Sequence, residues 1–254
     1  MERRCSKYVI AYIDLLCVTD KLTNCPDKIL GEIYELYEDA LDFCKKDKTG
    51  YNAAAIEMKA FSDNVVFAYK VREYSPGAVV TCFGEILVIT QFVAYFQFLA
   101  LQKGMLLRGG ITIGDLYIDD AIILGNGLVR AYYLENNIAI YPRIVVDYCV
   151  VDELEKTRYE GGNKYDACKI ASDNDFSYYI DYLKPLKKAD FDLDLFICKA
   201  YYDIRCDEKD EPSPNRIHQK IGWQINYMQH YLSFDLADEK KYREFIEQHN
   251  KQKE

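Results

Sequence analysis

The sequence predicts an α+β fold. The first observation behind it is the order of hydrophobic patterns. Residues 1 to about 150 run strand, helix, strand, helix, strand hairpin, helix, strand. That order suits a sheet with helices on one face, ferredoxin-like and of the palm type. The second observation is a pair of acidic strands. YVIAYIDLLC carries Asp14 and MKAFSDNVV carries Asp63, each a carboxylate at the edge of an apolar run. A buried strand avoids an unpaired carboxylate, because desolvating one is costly. Two in one domain point to a shared cation.

The elements follow in order. Residues 7 to 13 read as a buried strand, with a turn or short loop after Asp14. Residues 27 to 46 place apolar side chains at helical spacing, with acids early and lysines late, as helix polarity prefers. Residues 55 to 69 read as a second strand with Asp63 at a kink. Strand alternation then places Asp63, Phe61 and Lys59 on one face. Residues 79 to 102 read as a long helix, with Gly104 as its stop. MLLRGGITIGDLYIDDAIILG reads as a hairpin turning near Asp119 and Asp120. GLVRAYYLENN is a helix and IAIYPRIVVD a strand; residues 150 to 171 are loop plus helix. DFSYYIDYLKPL reads as a last strand.

A helix around 190 to 205, a linker CDEKDEPSPNR and a helix from His218 to about Leu232 complete the chain. Trp223, Ile225, Met228 and Leu232 lie at helical spacing there, either within one subunit's core or bracing a dimer. The tail DEKKYREFIEQHNKQKE is a solvated helix or disorder. The expected division is residues 1–188 as a catalytic domain and 189–254 as a C-terminal helical extension.

Composition narrows the function. The chain has 254 residues, half of them apolar and 23 of them Tyr, enough for one large domain. A net charge of −9 argues against a generic binder of duplex DNA or anionic membrane. It leaves room for a local basic pocket that takes a nucleotide. The nine cysteines are scattered with no CxxC pair, which reads as reduced thiols in a cytoplasmic protein. No signal peptide is expected, since MERRCSKYVIAYID reaches Asp14 too early. The run EILVITQFVAYFQFLALQKG is interrupted by Gln91, Gln97 and Gln102 and reads as a buried helix, not a membrane span. The three histidines, His218, His230 and His249, lie in the C-terminal quarter, so Ser-His, Cys-His and zinc chemistry are disfavoured.

The chemistry centres on Asp14 and Asp63. Mg²⁺ and Mn²⁺ prefer oxygen ligands and travel with phosphates. The segment after Asp14, DLLCVTDKL, offers backbone N–H groups of Leu16 and Cys17 to a triphosphate. Asp63 alone has a plainer reading as a cap or turn aspartate.

These motifs resemble the class III nucleotidyl cyclases. That family pairs a metal Asp at the end of its first strand with a second at a β-hairpin, which implies Asp14 and Asp63 here. It also uses the carbonyl after the first Asp, which implies Leu15. Its LRxGIxxG strand is matched by LLRGGITIG through Arg108, Gly110, Ile111 and Gly114, and its Gly-Asn-initiated helix by LGNGLVRAYYLE. The resemblance covers roughly residues 8 to 145. It is closest to the pyrimidine nucleotide cyclases of the bacterial Pycsar anti-phage system, which carry FSD, RGGI and a strand like YPRI (Tyr141 to Ile144). It implies cyclisation of UTP or CTP to a 3′,5′-cyclic monophosphate plus pyrophosphate, with two Mn²⁺ or Mg²⁺ ions per site. It also implies a head-to-tail homodimer and a separate effector switched on by the product.

Departures from the family pattern matter. Lys59 sits where adenylate cyclases read adenine, but the partner aspartate is replaced by Ile122. The transition-state Asn and Arg align with Val129 and Tyr133. Arg108, Arg130 or Lys184 could supply the lost positive charge. Arg108 has a plainer alternative as a structural salt bridge, and Lys184, Lys187 and Lys188 as a solvated cluster. The expected substrate contacts are Leu16, Cys17, Lys59, Phe61, Asn126 and Arg130. Rival readings are a degenerate cyclase-fold nucleotide sensor, a purine nucleotide cyclase, a diguanylate-cyclase-like palm enzyme and a structural interaction domain. The third lacks paired acids after Gly109-Gly110.

Overall fold

Strand β1, Ser6–Leu16, is an inner strand of the sheet, and its alternation sets the architecture. Val9, Ala11, Ile13 and Leu15 enter the main core, while Tyr8, Ile10 and Tyr12 enter a smaller core on the opposite face. Asp14 shares that second face. The computed structural model describes residues 4–16, 23–46, 52–72, 81–184, 193–207, 215–232, 234–236 and 238–251. Cys17 lies outside the described residues, as do Lys187 and Lys188.

The first six elements are β1, helix α1 (Pro26–Lys46), β2 (Glu57–Phe61), β3 (Asn64–Lys70), helix α2 (Phe83–Gln102) and β4 (Leu106–Ile118). The four strands lie in the order β2-β3-β1-β4, with every neighbouring pair antiparallel. This is the ferredoxin-like βαββαβ arrangement, as the sequence predicts. Ile29, Ile33, Leu36 and Ala40 of α1 are buried at helical spacing in the main core. Helix α2 is apolar all round because it is buried nearly all round. It is long and apolar enough to cross a membrane, yet 83% of its most apolar stretch is buried inside the fold. Phe92 and Phe96 pack edge-on against Phe67 of β3, with centroids 4.8 and 5.0 Å away. Gly104, at φ 70, follows the end of α2 as its sequence position predicts.

The expectation of helices on one face needs correction. Helix α3 (Asn126–Asn137), reached through the hairpin that β4 forms with the short strand β5 (Ile123–Leu124), lies on the other face. Glycines let it approach closely. A Cβ on Gly114 would lie 2.5 Å from Gly127 Cα, and one on Gly110 would lie 2.4 Å from Leu134 Cβ. Such contacts admit no side chain without displacement.

Three further strands extend the sheet beyond β4. They are β6 (Ile144–Val146), parallel to β4, then β8 (Tyr178–Ile180) and the edge strand β7 (Ile170–Ser172). Strand β6 is shorter than the predicted IAIYPRIVVD run, and β7 is an element the sequence analysis did not resolve within 150–171. Helices α4 (Tyr148–Lys156) and α5 (Lys164–Ala167) precede β7. The last helices are α6 (Leu193–Asp207), α7 (Asn215–Gln229) and α8 (Glu239–Lys251). Met228 is fully buried, and Trp223, Ile225 and Leu232 pack against the same core, so this segment packs within one chain. The tail is more than solvated charge. Tyr242, Phe245 and Ile246 pack on the core, and the Tyr242 hydroxyl donates to the Cys198 carbonyl at 3.2 Å.

Candidate active site

Asp14 and Asp63 are brought together by hydrogen bonds of the backbone. Asp14 stands opposite Asn64 of β3 and Arg108 of β4. The next residue, Leu15, donates its N–H to the Asp63 carbonyl at 2.8 Å. Asp63 is not at a kink in one strand. It lies in a two-residue hairpin turn between β2 and β3, where Ser62 takes φ 56. Short hairpin loops favour positive φ at a central residue. The turn also means that strand alternation does not carry Asp63 onto the face of Lys59 and Phe61; the chain reversal places it. Asn64 Nδ2 donates to Asp63 Oδ1 at 2.8 Å.

No turn follows Asp14 directly. Strand β1 continues through Leu15 and Leu16, which pair with Leu107 and Leu106 of β4. Both leucine side chains are buried in the main core, so any contact with substrate or metal is left to their backbone. That corrects the expectation of a free N–H cradle beginning at Leu16.

Arg108 closes over Asp14. Its Nε donates to Asp14 Oδ2 at 2.7 Å, and its Nη2 lies 2.7 Å from Glu135 Oε1 on α3. Asp14 is 9% exposed and Glu135 3%. Burial raises the Glu135 carboxyl above the ordinary range; Arg108 opposes this, while Asp14 and Asp63 add to it. The same two aspartates act on the Tyr12 hydroxyl, which burial above all lifts to about 12. The three carboxylates and Tyr12 therefore share one electrostatic neighbourhood.

Rings frame its open side. Tyr12 meets Phe61 edge-on at 6.1 Å and Tyr132 of α3 at 5.6 Å. Phe61 and Tyr132 are about half exposed. Lys59 pairs with Val66 across β2 and β3, two residues from Phe61 on the same face.

The other predicted contacts are occupied elsewhere. Asn126 Oδ1 accepts from the Asp115 N–H at 2.8 Å, which pins the start of α3 to β4. Arg130 makes a bidentate pair with Asp147, Nε to Oδ2 at 2.8 Å and Nη2 to Oδ1 at 2.7 Å. Burial alone would raise Asp147, but hydrogen bonds from Arg130 and Thr112 hold its carboxyl below the ordinary range. Lys184 pairs with Asp166 at 2.7 Å on the surface. Val129 and Tyr133 point outward, with Val129 67% exposed. Of the three candidate cations, Arg108 alone contacts Asp14 among the described residues.

Glu135, Tyr12 and Tyr132 were missed in the sequence. For Glu135 the signal was present. Gly127, Ala131, Leu134 and Glu135 form the buried face of α3 at helical spacing. A carboxylate on that stripe needs a cation beside it.

The residues present fit a hard divalent cation. Among the described residues no group of three or more His, Cys, Asp or Glu side chains is placed to hold a metal ion. Mg²⁺ and its relatives need no such cage: they keep several waters and take one or two carboxylates plus substrate phosphates. Asp14 and Asp63 would supply such a minimal set, with Arg108 as the positive charge now resting on Asp14.

No protein-family model and no curated protein sequence matches the chain. Solved structures to which the chain is similar include nucleotide cyclases. One is the monomeric guanylyl cyclase domain of the RhoGC fusion protein from the aquatic fungus Blastocladiella emersonii. It has a TM-score of 0.45 and 9% identity, over 70% of this chain and 96% of that one. A second is a bacterial light-regulated adenylyl cyclase, with a TM-score of 0.40 and 11% identity, over 81% of this chain and 58% of that one. A third is the guanylyl cyclase Cya2, with a TM-score of 0.38 and 12% identity, over 70% and 93%.

Proposed function

We propose that the chain is a nucleotidyl cyclase that converts a pyrimidine nucleoside triphosphate, UTP or CTP, to its 3′,5′-cyclic monophosphate and pyrophosphate. The reading rests on one observation above all. Asp14, two residues before the end of β1, and Asp63 in the β2–β3 turn are held near each other by the bond from the Leu15 N–H to the Asp63 carbonyl. They lie on the face of a ferredoxin-like sheet that α3 covers only in part. The sequence motifs RGGI and GNG supply β4 and the start of α3 on that same face.

In the proposed reaction the ribose 3′-oxygen attacks the α-phosphorus in line. The bond from that phosphorus to the β-bridging oxygen breaks, pyrophosphate leaves and the hydroxyl proton passes to solvent. Asp14, Asp63 and the Leu15 carbonyl are the groups that would hold a divalent cation, and such an ion would lower the pKa of the attacking hydroxyl and offset charge on the leaving phosphate. Arg108, whose Nε donates to Asp14, supplies positive charge to the phosphates. Lys59, Phe61, Tyr12 and Tyr132 form the wall against which the base is held. Ile122 stands where an adenine-reading aspartate would accept a hydrogen bond, and an aliphatic side chain accepts none; this favours a pyrimidine. A second copy of the chain is the proposed partner for the outer side of α3 and β5, where Val129, Tyr133 and Leu124 remain exposed. The cyclic product is proposed to act on a separate effector in anti-phage defence.

The test is incubation of the purified protein with Mn²⁺ and each of the four ribonucleoside triphosphates in turn, with products identified by mass. One cyclic pyrimidine monophosphate with equimolar pyrophosphate is the expected result. A cyclic purine product would keep the chemistry and overturn the base assignment. Nucleotide binding without any product would favour the sensor reading, which Val129 and Tyr133 also suit.

A further inference from the structure

We propose that Arg108 is a resident counter-ion that a divalent cation has to displace from Asp14, and that Glu135 is the positioning residue that retains Arg108 when it is displaced. The inference rests on the reading of Asp14 and Asp63 as the cation site.

The geometry gives one guanidinium to two buried carboxylates. Arg108 Nε donates to Asp14 Oδ2 and Nη2 approaches Glu135 Oε1, both at 2.7 Å. A guanidinium presents its donors from three nitrogens in a rigid fork. The two contacts use different nitrogens, so one can open while the other holds. Asp14 and Glu135 are 9% and 3% exposed. A carboxylate that buried needs a positive partner throughout. With Arg108 alone, two buried negative charges share one positive charge. A cation on Asp14 and Arg108 on Glu135 would pair them all. The guanidinium occupies Oδ2 and its charge repels a second cation on the same carboxylate, so the proposal has Arg108 withdraw from Asp14 as a divalent cation binds. Glu135 is where Arg108 can go. The other basic group acting on Glu135 is Lys220 of α7, and the remaining neighbours acting on it are Asp14 and Asp63.

The alternative is that Glu135 acts on a cation only through its charge at a distance. A double-mutant cycle separates the two, because a contact through Arg108 vanishes when Arg108 is removed. The experiment titrates Mn²⁺ alone into the full chain and counts free Mn²⁺ by electron paramagnetic resonance. The proteins are wild type, Arg108→Gln, Glu135→Gln and the double variant, each first checked by thermal unfolding. Arg108→Gln is expected to tighten Mn²⁺ by on the order of tenfold, and Glu135→Gln to weaken it by about threefold to tenfold. In the Arg108→Gln background the Glu135→Gln effect is expected to disappear. Should Arg108→Gln fail to fold, Arg108→Lys replaces it, since an ammonium keeps the charge but cannot fork to both carboxylates. Equal weakening by Glu135→Gln in both backgrounds, or none in either, overturns the proposal. An Asp14→Asn control separates the two failures. If it leaves Mn²⁺ affinity unchanged, the cation site itself is wrong. If it abolishes binding while the cycle stays flat, only the role of Glu135 is wrong.

Discussion

Asp14→Asn and Asp63→Asn should each lower turnover by on the order of 10³-fold while leaving the fold intact. The magnitude follows from the chemistry proposed for the pair. A cation that stabilises developing charge contributes several kcal/mol to the transition state, and each 1.36 kcal/mol is a factor of ten in rate. The fold should survive for a separate reason. In Asp14→Asn the amide keeps the shape of the carboxylate, and Arg108 still has Glu135 at 2.7 Å. In Asp63→Asn the contact from Leu15 goes to the backbone carbonyl and is untouched by the side chain. The check is initial velocity alongside thermal unfolding. Full activity in either variant would sink the metal assignment. Lost activity with a lowered melting temperature would show a structural role instead.

Arg143→Met should produce the largest loss of stability of any single change at an ion pair among the described residues. Arg143 is 1% exposed and ion-paired to Asp173 and Asp175 in the loop between β7 and β8. Its guanidinium lies over the rings of Tyr141 and Trp223, 5.5 and 5.9 Å from their centroids. Trp223 donates to Asp173 Oδ2 at 3.3 Å and stacks between Tyr141 and Tyr227, so one cation ties β6, the β7–β8 loop and α7 together. Removing one member of a buried pair costs about 3–5 kcal/mol, and the half-exposed Asp175 moves the expectation to about 3 kcal/mol. Urea unfolding near neutral pH measures it.

The same site gives a pH signature. Burial pushes the Asp175 carboxyl up, but Arg143 and Ser177 together outweigh it and hold it at about 2, against an ordinary 3.8. A carboxyl depressed in the folded state stabilises the fold above its unfolded value. That contribution is lost as pH falls from about 4 to about 2. In Arg143→Met this part of the acid dependence should flatten. A variant as stable and as acid-sensitive as wild type would contradict the account.

Much of the fold was legible because its central elements are long and patterned. Strand β1, helix α2 and the β4–β5 hairpin each carry a period that burial enforces. The misreadings have local causes. The β2–β3 turn hid in FSDNVV because the apolar residues on either side read as one strand; the Ser-Asp-Asn cluster was the turn signal. Strand β7 is three residues at a sheet edge, too short for a period to register. Helix α8 shows Tyr242, Phe245 and Ile246 at helical spacing, but its charges masked that face. At the site, Asp14, Asp63 and Arg108 were legible as residues. That Arg108 bridges Asp14 to Glu135 was not, because nothing in the sequence says that α3 crosses β4 at Arg108. Asn126 and Arg130 were plausible ligands by position, and their own partners, Asp115 and Asp147, take them away from the site.

The central claim is that Asp14 and Asp63 hold the cation on which the chemistry depends. The most direct measurement is the anomalous scattering of Mn²⁺ in crystals grown with a non-reactive pyrimidine triphosphate analogue. A Mn²⁺ peak within bonding distance of both carboxylates, with Arg108 moved off Asp14, is the predicted result. A peak at other side chains, with the Arg108–Asp14 pair intact beside a bound nucleotide, would contradict it.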